Sequence, residues 1–280
     1  MNSIQKLSLI VILLVSYGFT TETWGVPQYA DITTVGINNY KYTYDQYGNP
    51  INNSLTRQVA TADAFATALH SRINSKYPTT STNWSAYYNA DLVASDFKGR
   101  MTDITELVFF SGHGRENELI FWNFSTVTSA DKQFKGYTKW VFFGSCLTMN
   151  TEIANIAKWF GGVHTIAGPA SISWEYINYY DCYPWGCKHH RSEDMWADFA
   201  QRWVSNGETI WSAYRNAMVN TLWGNSVSMK GLRFKMAYIV GVTPEGVPFS
   251  GRNEVYSNSY SGPMYGNIYT LAVSLGTPQY

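Results

Sequence analysis

The stretch that decides the fold contains two apolar runs, Leu107-Val108-Phe109-Phe110-Ser111-Gly112-His113-Gly114 and Trp140-Val141-Phe142-Phe143-Gly144-Ser145-Cys146. Each starts with β-prone apolar residues and then breaks at a glycine-containing segment. Short, fully apolar runs of this kind are typical of strands buried on both faces of a mainly parallel sheet. The sequence therefore predicts an α/β fold in which helices cover both faces of a central sheet.

A histidine and a cysteine follow the two runs. The carboxyl ends of neighbouring parallel strands open onto one crevice, so His113 and Cys146 are expected to face the same cleft. A thiol is only slightly ionised at neutral pH, and a nearby imidazole can take its proton or stabilise the thiolate. We therefore predict Cys146 as a nucleophile and His113 as its acid–base partner. Because glycine allows N–H groups to turn inward, we assign the oxyanion hole to the amides of Gly114 and Cys146.

These motifs resemble those of a known enzyme family. An apolar strand that ends in Ser111-Gly112-His113-Gly114, followed by one that ends in Gly144-Ser145-Cys146, is similar to the caspase-like superfamily of cysteine peptidases, which includes caspases, legumains, gingipains and clostripains. The resemblance covers residues 35–242 in the order of strands and helices. It implies a caspase-like three-layer sandwich, a His113–Cys146 dyad, and cleavage of polypeptides after a selected side chain.

The residues around the nucleophile depart from the caspases proper. Gly144-Ser145-Cys146-Leu147-Thr148 does not match their Gln-Ala-Cys-x-Gly signature. Aspartate specificity is therefore not implied, and the chain looks more like a secreted prokaryotic branch. The resemblance implies no cofactor, although it allows a calcium ion. Two other functions stay open: a catalytically inactive caspase-like binding or cell-surface module, and a transpeptidase that uses the same thioester to join peptides.

The first 25 residues are expected to be a secretory signal peptide, followed by a single domain over residues 26–280 with a C-terminal elaboration. Lys6 precedes an apolar core from Leu7 to Val15. That core is shorter than the run of about 20 residues that a membrane span needs. An uncleaved membrane anchor is the alternative. Cleavage would leave a protein with no membrane partner, secreted or held at the cell surface.

The charge balance argues against some partners. The chain has 20 basic and 20 acidic side chains, and the basic ones are scattered along it. Nucleic acids and anionic membranes are therefore poor partners. The partner that the resemblance to cysteine peptidases implies is a polypeptide substrate. The sequence leaves the oligomeric state open.

Three cysteines are an informative odd number for an exported protein. Cys182 and Cys187 flank turn-forming residues, and a disulfide between them is expected in an oxidising compartment. His189 and His190 lie close by, so zinc is the alternative; because the spacing matches no strong zinc pattern, we assign no metal. Cys146 is then the cysteine left over, and taken alone it would favour a buried structural thiol. His113 and the position of both residues at strand ends favour the catalytic role instead.

A second histidine competes with His113 as the catalytic base. His164 lies inside the expected strand 163–168, and this position favours a hydrogen-bonded core histidine. The segment after that strand leaves its carboxyl end and should line the cleft. Its candidate substrate-binding residues are Ser171, Ser173, Trp174 and Glu175.

Apolar periodicity predicts the elements around the central stretch. Strands are expected at 33–40, 118–124, 163–168 and 234–242, helices at 59–73, 150–160, 196–203 and 210–217, a loop at 78–88, and a strand or a turn at 92–97. Asn150 is expected to be the N-cap of the helix after Cys146. The positive end of that helix dipole would then lower the pKa of the thiol.

Overall fold

A computed structural model describes residues 24–99, 105–135, 137–171, 178–183, 186–222 and 232–275. The strands are β1 (Trp24–Gly25), β2 (Tyr29–Gly36), β3 (Thr43–Tyr44), β4 (Pro50–Ile51), β5 (Ser81–Tyr88), β6 (Leu107–Ser111), β7 (Gly114–Arg115), β8 (Glu118–Ile120), β9 (Thr126–Thr128), β10 (Trp140–Phe143), β11 (Thr165–Pro169), β12 (Asn178–Tyr183), β13 (Gly186–Arg191), β14 (Leu232–Val242), β15 (Pro248–Ser250), β16 (Ser259–Tyr260) and β17 (Gly266–Leu275). The helices are α1 (Gln58–Lys76), α2 (Ala94–Lys98), α3 (Ile153–Lys158), α4 (Ser192–Ala200) and α5 (Ile210–Leu222).

Eight strands of the described residues form the central sheet. Its order is β5, β2, β6, β10, β11, β14, and both β15 and β17 pair with β14. The strands from β5 to β11 run parallel to their neighbours. Only from β14 onwards is the pairing antiparallel. The sheet is therefore mainly parallel, which confirms the predicted fold class.

Helices cover both faces of this sheet because its central strands alternate between two apolar clusters. In β6, Leu107 and Phe109 face the cluster that contains α1, α4 and α5, whereas Val108 and Phe110 face the cluster that contains α2 and α3. The Phe109 ring stacks on Phe65 of α1, with 4.4 Å between the ring centroids. Full burial of one such side chain stabilises the fold by roughly 1.5–3 kcal/mol. A polar residue in either run would face one of the two cores, which explains why both runs are wholly apolar.

The three longer helices predicted from periodicity are confirmed. Helix α1 covers 59–73, α5 covers 210–217, and α4 continues through a π-helical turn at Gln201–Ser205 to cover 196–203. None of the helices in the described part of the chain combines the length and apolarity needed to cross a membrane.

Two predicted segments are wrong. Residues 78–88, expected as a loop, contain β5, which lies at the edge of the sheet parallel to β2. The side chains of β5 are exposed or half-buried, so no apolar alternation marks it as a strand. Residues 92–97, expected as a strand or a turn, contribute instead to α2. Ala94 and Phe97 are buried together there because residues three apart share one helix face.

A largely buried ion pair lies at the amino ends of β6 and β10. Lys139, just before β10, donates a hydrogen bond of 2.7 Å to the Glu106 carboxylate just before β6. Burial raises the pKa of Glu106, and the Lys139 ammonium opposes this shift. These two side chains thus satisfy each other at the amino end of the sheet. His113 and Cys146 lie at the opposite, carboxyl end.

Candidate active site

The structure places the predicted dyad residues at the carboxyl edge of the sheet. His113 follows β6 and Cys146 follows β10, and in these parallel neighbours Phe110 lies beside Phe143. The two chain segments therefore leave the sheet side by side. His113 is half-buried, and the Cys146 residue is 5% exposed.

The two segments contact each other directly. The Asn117 N–H donates to the Thr148 carbonyl oxygen at 3.3 Å. A Cβ atom on Gly114 would lie 2.7 Å from the Cys146 carbonyl oxygen and 2.6 Å from Thr148 Oγ1. Such short contacts do not occur for real Cβ atoms, so only glycine permits this approach. The second glycine of the Ser-Gly-His-Gly motif therefore lets the His113 segment lie against the Cys146 segment.

Two groups from the segment between β2 and α1 hold His113. Its Nε2 lies 2.8 Å from the Asn53 carbonyl oxygen, and its backbone N–H donates to Tyr40 Oη at 2.7 Å. A carbonyl oxygen only accepts, so Nε2 carries a proton and Nδ1 is the acceptor of the neutral ring. Nδ1 is thus the nitrogen that can take a proton from a thiol. The sequence predicts neither contact, because a backbone carbonyl carries no residue signature and Tyr40 is distant in the chain.

The residue after the candidate nucleophile has an unusual backbone conformation. Leu147 has a φ of 57°, in the left-handed region that disfavours non-glycine residues by roughly 1–2 kcal/mol. The surrounding bonds compensate: the Leu147 N–H donates to the Ser171 carbonyl oxygen at 3.2 Å, and the Met149 N–H to that of Pro169 at 3.0 Å. The turn that carries Cys146 is thereby fixed to the carboxyl end of β11.

The predicted help from a helix dipole is wrong. Helix α3 begins at Ile153 with Glu152 at its N-cap, and a turn at 147–150 separates it from Cys146. The Asn150 side chain does not cap the helix but donates to Glu116 Oε1 at 2.7 Å. Because the dipole effect decays within the first turn, α3 does not explain a reactive thiol.

Of the candidate substrate-binding residues, only Ser171 belongs to the described part of the chain, and Ser173, Trp174 and Glu175 lie outside it. Ser171 lies beside the turn that carries Cys146, and its hydroxyl accepts a hydrogen bond from the Arg233 N–H at 3.0 Å. This contact anchors the start of the segment to β14. A role of these residues in substrate recognition stays a prediction.

The two remaining cysteines lie in a hairpin. Strands β12 and β13 pair in an antiparallel register that places Cys182 directly opposite Cys187. The side chains of both, and those of His189 and His190, are outside the described part of the structure. The backbone register is compatible with the predicted disulfide, which stays a prediction.

His164 is a hydrogen-bonded core histidine, as predicted, although it lies just before β11 and not inside the strand. It is fully buried, with Nδ1 3.0 Å from Glu254 Oε2 and Nε2 2.8 Å from the Gly262 carbonyl oxygen. It precedes β11, and its N–H donates to the Lys139 carbonyl oxygen at the amino end of β10. His164 and Cys146 therefore lie at opposite ends of β10. The four residues of that strand separate them by roughly 13 Å along the strand direction.

Together these observations define a mainly parallel α/β sandwich with a histidine and a cysteine on touching loops at its carboxyl edge. No protein-family model matches the chain, and no curated protein does so either. Among solved structures it is similar to the Arg-specific cysteine proteinase gingipain R, at 10% identity over 88% of this chain and 67% of that chain, with a TM-score of 0.43. It is also similar to the complex of the RgpB pro- and mature domains from Porphyromonas gingivalis, at 9% identity over 88% and 68%, with a TM-score of 0.45. Similarity of this degree does not determine an activity.

Proposed function

We propose that this chain is an exported cysteine peptidase that hydrolyses peptide bonds of polypeptide substrates through His113 and Cys146. The observation that carries the proposal is the way His113 is held. Its Nε2 proton is directed at the Asn53 carbonyl oxygen, 2.8 Å away, which leaves Nδ1 as the proton acceptor. The adjoining Gly114 lies against the Cys146 carbonyl group. A base with a defined tautomer, on a loop that touches the loop of the cysteine, is the arrangement that we expect for nucleophilic catalysis by a thiol.

The proposed reaction has two steps. His113 Nδ1 takes the thiol proton, and the Cys146 sulfur attacks the substrate carbonyl carbon to form a carbon–sulfur bond. The carbon–nitrogen bond then breaks as the imidazolium gives its proton to the leaving amine, which leaves a thioester. Water attacks the thioester while His113 accepts a proton from it. The carbon–sulfur bond breaks, the acid leaves, and the thiol is restored.

The hairpin geometry supports Gly114 as an oxyanion donor. Strands β7 and β8 pair Gly114 with Leu119, and the Ile120 N–H donates to the His113 carbonyl oxygen. Bonded and non-bonded pairs alternate in an antiparallel ladder, so the Gly114 N–H is directed away from β8. An amide that the ladder does not use can donate to a developing oxyanion. We assign the second donor to the amide of Cys146.

One observation favours a different class of function. Cys146 is only 5% exposed, which also suits a structural thiol in a non-catalytic, caspase-like binding module. Selective alkylation separates the two: brief treatment of the folded protein with iodoacetamide should label Cys146 in a peptidase and leave it unlabelled in a binding module. A transpeptidase would show the same labelling. Added amines would then compete with water for the thioester, and the product would be an amide and not a free carboxylic acid.

The test of the proposal is hydrolysis of a pooled fluorogenic peptide library under mild reductant. Cys146→Ala and His113→Ala should abolish cleavage without changing the melting temperature. His70→Ala is the matched control, because His70 is half-buried on α1 and bonds only locally, to Asn74. A wild-type protein that cleaves nothing, with and without calcium, or a Cys146→Ala variant as active as wild type, would refute the proposal.

A further inference from the structure

A tyrosine hydroxyl interrupts the hairpin that carries His113. The register that pairs Gly114 with Leu119 places His113 opposite Ile120. Residues in such a pair normally exchange two backbone hydrogen bonds. Here the Ile120 N–H donates directly to the His113 carbonyl oxygen at 3.1 Å. In place of the second bond, the His113 N–H donates to Tyr40 Oη at 2.7 Å, and that hydroxyl donates to the Ile120 carbonyl oxygen at 3.1 Å.

The surroundings fix this hydroxyl in place. Tyr40 is 5% exposed, and its ring lies 4.5 Å from the His113 ring between centroids. Its ring also lies 5.8 Å from that of Phe124. A Cβ atom on Gly112 would lie 2.7 Å from Tyr40 Oη. The first glycine of the Ser-Gly-His-Gly motif therefore makes room for the hydroxyl, just as the second makes room for the nucleophile turn.

We propose that Tyr40 is a positioning residue for His113, acting as a spacer that holds the hairpin open by one oxygen atom; its effect on catalysis rests on the proposed peptidase function. If the hydroxyl were absent, the His113 N–H and the Ile120 carbonyl could close into a direct bond of about 2.9 Å. With the hydroxyl in place, the His113 nitrogen and the Ile120 carbonyl oxygen lie on the order of 2 Å farther apart than they would in a direct hydrogen bond. Closing the gap would draw His113 towards β8 and away from the Asn53 carbonyl, which sets the tautomer.

The first measurement is kinetic. Tyr40→Phe keeps the ring and removes the spacer, and a displacement of about 1 Å can lower a rate by about 100-fold. We expect kcat to fall 10- to 100-fold with KM within about two-fold of wild type. Thr80→Val is the matched control, because the buried Thr80 hydroxyl also donates to a carbonyl oxygen, that of Pro27 at 2.8 Å, but at the start of β5. This control should retain the wild-type kcat.

The second measurement does not need activity. Long-range ¹H–¹⁵N correlation spectra of protein labelled at histidine report which ring nitrogen carries the proton. Wild type should show His113 protonated at Nε2, and Tyr40→Phe should show a mixture of tautomers. Gly112→Ala should give the same result, since its methyl group would displace the hydroxyl, and it carries the test if Tyr40→Phe does not fold. Combining both changes should have no larger effect than the stronger single change.

The outcomes separate this inference from the proposed function. If wild type cleaves peptides and both variants keep the wild-type kcat and the Nε2 tautomer, Tyr40 does not position His113 and the peptidase proposal stands. If wild type is inert but the tautomer changes in both variants, the positioning role stands and the peptidase proposal fails. A fall in kcat that Thr80→Val reproduces would show general destabilisation and would overturn the positioning role.

Discussion

Replacing Gly114 by alanine is expected to disable the site while leaving the fold intact. The added Cβ atom would lie 2.6 Å from Thr148 Oγ1, 2.7 Å from the Cys146 carbonyl oxygen and 2.9 Å from Ser145 Cβ. Ordinary contacts to carbon need about 3.5 Å, so the two loops must separate by somewhat less than 1 Å. Overpacking of this kind costs roughly 1–3 kcal/mol of folding free energy. A misplacement approaching 1 Å between His113 and the nucleophile lowers the rate by up to about 100-fold.

The assay compares kcat/KM on the best library peptide with the free energy of unfolding in urea. Gly99→Ala is the matched control, because a Cβ atom there would meet its nearest neighbour at an ordinary 3.4 Å. We expect the control to retain activity, while Gly114→Ala loses at least ten-fold and still unfolds cooperatively. Activity within two-fold of wild type at unchanged stability would show that the two loops are not held as closely as the structure indicates.

Four further changes have expected outcomes. Glu254→Gln should lower the free energy of unfolding in urea by about 1–3 kcal/mol, because an amide has one acceptor oxygen fewer for the buried groups that hydrogen-bond to this carboxylate, Trp140 Nε1, His164 Nδ1 and the Tyr260 N–H; an unchanged free energy of unfolding would contradict this. Phe109→Ala should cost about 3–5 kcal/mol by opening a core cavity, and a calorimetric scan with an unchanged melting temperature would count against it. Burial raises the pKa of Glu106 in the folded protein. The contribution of this carboxyl group to stability is therefore complete below its pKa in the unfolded chain, and it is lost as the pH rises through its pKa in the folded protein. Wild type should therefore gain stability over Glu106→Gln as pH falls from about 7 to about 4, and an opposite trend in urea titrations would refute this assignment. Unfolded without reductant, the chain should show one reactive thiol rather than three, because the predicted disulfide takes two cysteines, and three would exclude it.

The sequence predicts the centre of the fold better than its edge. Strands β6 and β10 are buried on both faces, so every residue in them is apolar and the runs are distinct. Strand β5 differs from them because it lies at the edge of the sheet and its side chains are exposed or half-buried. Its sequence therefore resembles that of a polar loop. Its position depends on backbone pairing with β2, which leaves no residue pattern.

The same limit applies to the candidate site. Sequence spacing predicts which residues end the two central strands, because strand direction alone brings His113 and Cys146 to one edge. It does not predict what holds the imidazole, because Asn53 acts through its backbone carbonyl and Tyr40 through a hydroxyl that lies between two strands. Both contacts cross long sequence separations, 60 residues between His113 and Asn53 and 73 between His113 and Tyr40.

The separation of the two ends of the sheet bears on how such a protein can evolve. The buried pairs Lys139–Glu106 and His164–Glu254 lie at the amino end, a full strand length from the loops that carry the proposed chemistry. Changes that far apart usually have additive effects on stability. Mutations that strain the carboxyl-end loops in favour of a new substrate can therefore be compensated by better packing at the amino end. Selection could thus explore specificity at one end of this sheet while the other end preserves the fold.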